Sequence, residues 1–295
     1  MIEASLYQHL VTSESLSPYL ATYAGRAAIF NQESPSDTDK EWGKGSQYGR
    51  IVYNVDLTGD AERKISGVLL VDVMCEKGKQ IPEVIEAVVR PLIDGYFFST
   101  DSITMSAQWR SSDYFATSTE KVIGVTLTFD LLAFPKQTTI DPDPIALINK
   151  WTSENINGAK IIGYSLLPAA WKPTDENIAV FWRLNQIQKC SWIPDTYNCS
   201  WQTAVIDGYI MTGSEDLAVS IARWIANSLT IKKRLIFDDV SPLMIDRNIS
   251  ITSTHDRLRV RVISLEATYG ILTPLPPKNP LNHISTNGRE VPTHG

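Results

Sequence analysis

Cysteine and histidine are scarce in this chain. Three cysteines (Cys75, Cys190, Cys199) and four histidines (His9, His255, His283, His294) are spread over 295 residues. The cysteines are odd in number, form no CxxC pair and have no histidine close by. That argues against a zinc knuckle and a disulfide framework, and leaves incidental thiols. No GxGxxG, GxSxG or HExxH occurs. Gly43-Lys44-Gly45-Ser46 is the nearest thing to a phosphate loop. It has Thr38 where that loop needs glycine, with no strand before it and no helix after it. Long apolar runs are missing too: none approaches the roughly 20 residues that span a bilayer. The start, Met1 to Tyr7, lacks the basic and apolar regions of a signal peptide, so a reducing cytosol is the expected compartment. Basic charge is also short. Lys and Arg number 27 against 33 Asp and Glu, giving a net charge of −6, which argues against a general nucleic-acid binder.

Acid–base and metal candidates are thin. His255-Asp256 is an adjacent pair in a turn. Asp141 and Asp143 have metal-like spacing but lie among prolines, and Asp238-Asp239 has no further ligands. No nucleophile, base and oxyanion donors assemble. We assign no catalytic, cofactor-binding or metal residue, expect no cofactor, and do not expect an enzyme.

What is present is a pattern written twice. In the first half a strand (Gly67 to Met74) leads through a turn (Glu76 to Gln80) into a helix from Pro82 to Ile93. Strands Ser102 to Arg110 and Val122 to Phe134 follow, joined by a polar connection from Ser111 to Lys121. In the second half a strand (Gln202 to Met211) leads through Thr212-Gly213-Ser214 into a helix from Glu215 to Leu229. Two strands follow, Asn248 to Thr254 and Leu258 to Tyr269. Helical spacing puts Ile81, Val84, Ile85, Val88, Val89, Leu92 and Ile93 on one face of the first helix. Leu217, Ile221, Trp224, Ile225 and Leu229 stripe the second, with Ser214 as its N-cap. Each half opens on a further helix (Ile2 to Leu20; from Pro144) and a short strand (Ala27 to Phe30; Lys160 to Leu166). A polar loop follows in each (Asn31 to Arg50; Leu167 to Asn177), then another strand (Ile51 to Leu57; Ile178 to Ile187).

The order predicts an α+β fold: two tandem similar units, each a mixed or antiparallel sheet with two helices packed on one face. The proline-rich Pro135 to Pro144 divides units 1–140 and 141–272. Residues 273–295 read as a proline-rich arm or tail.

Tryptophan and arginine supply the candidate interface, since both are enriched in binding hot spots. Trp171, Trp182, Trp192 and Trp201 crowd the second half, and Trp109-Arg110 lies on a strand of the first. Arg257, Arg259 and Arg261 alternate with Leu258, Val260 and Val262, which predicts a strand with one basic and one buried face. The residues proposed to meet partners are Trp109, Arg110, Trp171, Trp182, Arg257, Arg259 and Arg261. Packing and plain solvation are the competing readings of all of them.

The segment from Ala204 to Leu272 resembles the tail terminator proteins of tailed phages, also called neck terminator or tail completion proteins. The features are Tyr209-Ile210-Met211 ending a strand, Ala222-Arg223-Trp224 in the helix, Phe237-Asp238-Asp239 in a loop, and the alternating Arg259 to Ala267. The first half is similar through Met1-Ile2-Glu3-Ala4-Ser5-Leu6-Tyr7, Arg50-Ile51-Val52-Tyr53 and Gly124-Val125-Thr126-Leu127-Thr128-Phe129. Most members carry one copy, so the doubling is a departure. The resemblance implies a structural virion protein in the neck, made in the host bacterial cytoplasm. It would form a six-fold ring of its own copies, from six chains or from three. That ring would cap the tail tube protein, end tail growth and face a head–tail connector or collar protein. In contractile tails it also meets the sheath protein. DNA would pass through the lumen without sequence-specific binding, and no membrane is involved. The alternatives are another neck or head–tail joining protein and a cellular ligand-binding α+β protein.

Overall fold

The structure, a computed structural model, describes residues 2–43, 46–58, 65–100, 103–117, 121–137, 141–272, 284–286 and 289–291. The first half runs α1 (Ile2–Val11), a 3₁₀ turn (Ser17–Tyr19), β1 (Thr22–Tyr23), β2 (Arg26–Ala27), β3 (Ile29–Asn31), β4 (Arg50–Leu57) and β5 (Ile65–Glu76). Then come α2 (Pro82–Ile93), β6 (Phe97–Ser99), β7 (Thr104–Ala116) and β8 (Val122–Phe134). The second half runs α3 (Pro144–Asn155), β9 (Lys160–Ile161), β10 (Ala170–Trp171), β11 (Ala179–Lys189) and β12 (Cys199–Met211). It ends with α4 (Glu215–Lys232), β13 (Arg234–Ile236), β14 (Pro242–Ile251) and β15 (Ile263–Leu272). A short hairpin, β16 (Ile284–Thr286) with β17 (Arg289–Val291), follows.

The molecule is a mixed α/β protein with four helices among the described residues and two large mixed sheets. The first sheet has the order β10-β6-β7-β8-β5-β4-β3, and the second β13-β14-β15-β12-β11-β9. In each, one short strand is parallel to its neighbour (β3 to β4, β9 to β11) and the other ladders are antiparallel. No helix among the described residues is long and apolar enough to cross a membrane.

Period-two alternation decides which face of each sheet takes the helices. Leu69, Val71, Val73 and Cys75 of β5 and Val125, Leu127, Phe129 and Leu131 of β8 point to one side. There they meet Leu6 and Leu10 of α1 and Ile85, Val89 and Ile93 of α2. Ala204, Ile206 and Ile210 of β12 meet Ile148 and Trp151 of α3 and Ala222, Ile225 and Leu229 of α4. Gly208 interrupts β12 because a Cβ there would stand 2.5 Å from the Trp182 ring. Pro82 fits the first turn of α2, where the missing N–H costs nothing. Asp143 caps α3 by accepting from the N–H groups of Ile145 and Ala146 at 2.9 and 3.0 Å.

Five sequence readings need correction. Ser111–Ala116 is not a connection but the outer half of β7, paired up to Ala116 with Ile123. The Leu167 to Asn177 loop contains β10, and the short strand before it stops at Ile161. Ser214 does not cap α4 with its side chain; its N–H and hydroxyl both donate to Asp175, at 2.8 and 3.2 Å. Arg257 to Arg261 is a turn, not a strand, and Val260 between them is exposed rather than buried. Gly59, Asp60, Ser118, Thr119, residues 138–140 and most of the 273–295 arm lie outside the described residues.

The faces turned away from the helices meet at one place. Phe97, Leu132 and Phe134 of the first sheet pack with Ala179, Phe181, Tyr209 and Met211 of the second, and with Trp171 on β10. Phe134 meets Phe181 edge-on at 5.3 Å between centroids, and Phe97 stacks with Trp171 at 5.2 Å. β10 belongs to the second half by sequence but pairs with β6 of the first, Trp171 opposite Phe97.

Candidate interaction surface

The proposed interface residues separate into two groups. Trp182 is 1% exposed and lies in the second core, its Nε1–H donating to Thr152 Oγ1 at 2.9 Å. Trp171 is 9% exposed and fills the seam between the sheets. Both hold the molecule together and neither is available to an outside partner, which corrects their assignment. A pleated strand buried on both faces hides its aromatics, and periodicity cannot tell that from an exposed stripe.

The other residues are at the surface. Trp109 is partly exposed under the Arg90 guanidinium, 4.8 Å from its ring centre, and its Nε1–H donates to Ser112 at 3.1 Å. Arg110 projects from the opposite face of β7 and donates to Asp130 Oδ1 at 3.0 Å. Arg259 reaches across from the second half to Asp130 Oδ2 at 2.9 Å and also pairs with Asp256 at 3.2 Å. Arg261 meets both oxygens of Asp207 at 3.2 Å. Among the described residues Arg257 donates only to the Gly213 carbonyl, at 3.5 Å. The structure therefore gathers Arg110 and Arg259 on one buried carboxylate at the seam. Arg261 has a carboxylate of its own, and Trp109 lies on the helix side.

The sequence reading missed those carboxylates. Asp130 and Asp207 are both buried. Their signal is legible: each is the one charged residue of its strand, and a buried charge requires a partner.

A second feature lies on the helix-free face of the second sheet. A cleft of about 720 Å³ is lined by Lys189, Trp192, Arg234, Met244, Asp246 and Glu266, among others. Its floor is a hydrogen-bond chain: Thr203 and Thr268 share a bond of 3.0 Å, and Thr268 donates to Asp246 at 2.9 Å. Asn248 donates to Glu266 at 2.8 Å. Burial pushes the Asp246 carboxyl above its ordinary value. The Thr268 hydrogen bond opposes this, and the charge of Glu266 adds to it.

The acid–base candidates do not assemble. His255 is fully exposed and pairs with Glu215 at 2.6 Å, not with Asp256, which holds Arg259. Asp143 is spent on its helix cap. Ser46 donates to Glu76 at 2.6 Å, and Lys44 and Gly45 lie outside the described residues. Among the described residues no group of three or more His, Cys, Asp or Glu is placed to hold a metal ion. No family model matches the chain, and no curated protein matches it.

Proposed function

We propose that the chain is two copies of one α+β unit in tandem and serves as a structural ring protein of a phage or phage-like tail, capping the tail tube at its neck end. The observation that carries this reading is the seam. It joins the end of the first sheet where β8 finishes to the end of the second sheet where β11 begins. In the shared strand order, β8 corresponds to β15 and β4 to β11, so the seam joins opposite ends of two equivalent sheets. Such a contact is heterologous, and heterologous contacts repeat into rings when their rotation closes. The matched orders, β6-β7-β8-β5-β4-β3 and β13-β14-β15-β12-β11-β9, support the tandem copy.

The ring's partners are copies of itself, the tail tube, a connector or collar protein and, in contractile tails, the sheath. The net charge of −6 suits a lumen through which DNA slides, because cationic walls would hold phosphates. Native mass spectrometry with negative-stain images of the same sample tests the ring. A closed ring of three or six chains is the expected result. A chain that stays monomeric both alone and with polymerised tail tubes would refute the reading.

A further inference from the structure

The two sheets differ at one edge. β6 is covered by β10, whereas β13, its counterpart in the tandem reading, is an edge of the second sheet among the described residues. The ladder registers show what each edge borders. Ile51 and Val180 both face helices and lie opposite the short parallel strand, and their partners on the next strand are Val73 and Ile210. Counting on through the ladders sets Arg234, Met244 and Thr268 where the first sheet has Phe97, Ser106 and Leu132. It also sets Glu266 where Asp130 stands. In the first sheet Phe97 and Leu132 belong to the seam with the second half, and Asp130 takes Arg259 from it. In the second sheet Arg234, Met244 and Glu266 line the open cleft.

We propose that this cleft receives the first half of a second copy of the chain, head to tail, through the contact that already joins the two halves within one chain. The inference rests on the tandem-copy reading above. Charge agrees with it at Glu266, in a cleft that also carries Lys189, Lys233 and Arg234. In the seam, Asp130 takes Arg259 from the β14–β15 connection. The matching connection of the first half, between β7 and β8, ends in Lys121, which is exposed. By the same count Ile123 stands at the Arg259 position, so it is Lys121, two residues earlier, that supplies the cation for Glu266 of the next copy in the proposed contact.

The difference in polarity follows from tethering. The seam inside one chain is held at high effective concentration and stays closed, so Phe97, Leu132 and Phe134 are never left in water. A contact between separate chains must stay soluble until assembly, and a large exposed apolar patch there would aggregate. Arg234, Thr268 and Gly270 at the corresponding positions meet that need. Three chains joined this way present six equivalent units, which matches a six-fold tube without a second tier.

Site-directed crosslinking tests the contact. In a Cys199→Ser background, Lys121→Cys chains are mixed with Glu266→Cys chains and oxidised. The expected result is a covalent dimer at least ten times more abundant than either variant gives alone. A chain carrying both substitutions should give a ladder that ends at a closed trimer by native mass spectrometry. Glu266→Lys should lower the ring fraction at least tenfold, and adding Lys121→Glu should restore it. Equal crosslinking of mixed and unmixed variants, or a ring unaffected by Glu266→Lys, would overturn the proposal. Tube capping without this crosslink would overturn the head-to-tail contact but leave the capping reading. Crosslinked rings that leave tube ends bare would overturn capping but leave the contact.

Discussion

Asp130 is the residue on which the two halves lean most. It is buried, it accepts from Arg110 of its own half, and it accepts from Arg259 of the other. Asp130→Ala leaves Arg110 without its carboxylate and Arg259 with Asp256 alone, and charged hydrogen bonds are worth about 2 kcal/mol. Because both arginines are partly exposed, water recovers some of that. A loss of about 2 kcal/mol is expected, read as a lower urea midpoint with an unchanged slope. Arg110→Ala removes the more exposed partner and should cost about 0.5 kcal/mol. His9 sets a pH dependence. Its Nε2–H donates to the Leu92 carbonyl at 2.8 Å. Burial lowers its pKa below 6.5, opposed by that hydrogen bond. A histidine held low binds fewer protons folded than unfolded. Its contribution is therefore complete above the ordinary 6.5 and is lost as pH falls below it. Asp37 acts with the same sign at lower pH. Burial raises its carboxyl, but hydrogen bonds from Tyr48 and Arg50 and the Arg50 charge outweigh burial and hold it below 3.8. Urea midpoints should fall on acidification from pH 7 to 5, and His9→Gln should flatten that slope.

At the scale of elements, the outer half of β7 shows how a polar segment becomes a strand. Ser112 donates to Glu86 Oε1 at 2.6 Å, and the Tyr114 hydroxyl donates to Glu86 Oε2. These bonds tie Ser111–Ala116 to α2 and make a strand of a stretch whose composition reads as a connection. The Glu86 hydrogen bond, with smaller contributions from burial and nearby carboxylates, raises the Tyr114 pKa to about 12. Glu86→Ala should bring one tyrosine back toward 10 in an ultraviolet titration, while Tyr48 and Tyr53, also near 12, stay put. An unchanged titration would mean that the bond does not hold the strand. Elements with strong patterning are legible in the sequence: α2 keeps both predicted ends, β5 reads as an almost continuously apolar strand, and β8 reads as an alternating one with both ends kept. Those that depend on a distant partner are not. β10 is two residues long, and nothing local marks it; it exists because β6 offers an edge. Arg257 to Arg261 alternates like a strand, yet the carboxylates of Asp130, Asp256 and Asp207 draw Arg259 and Arg261 into a turn.

For the whole molecule, the seam decides whether two sheets behave as one body. Phe134 is buried between them against Phe97 and Phe181. Phe134→Ala should cost about 3–5 kcal/mol and split one calorimetric transition into two, as each half keeps its own helix-backed core. A single transition, merely lowered, would mean that the halves stay coupled by β10 and Asp130 alone. The interface residues are only partly legible because tryptophan enrichment marks packing and recognition alike. Trp171 and Trp182 serve packing, while the carboxylates that organise the arginines lie far from them in sequence. The ring is the central claim, and electron microscopy of polymerised tail tubes mixed with this protein tests it most directly. The account predicts a ring of density on one end of each tube and no further growth from that end. Tubes with bare ends that keep elongating in excess protein would contradict it.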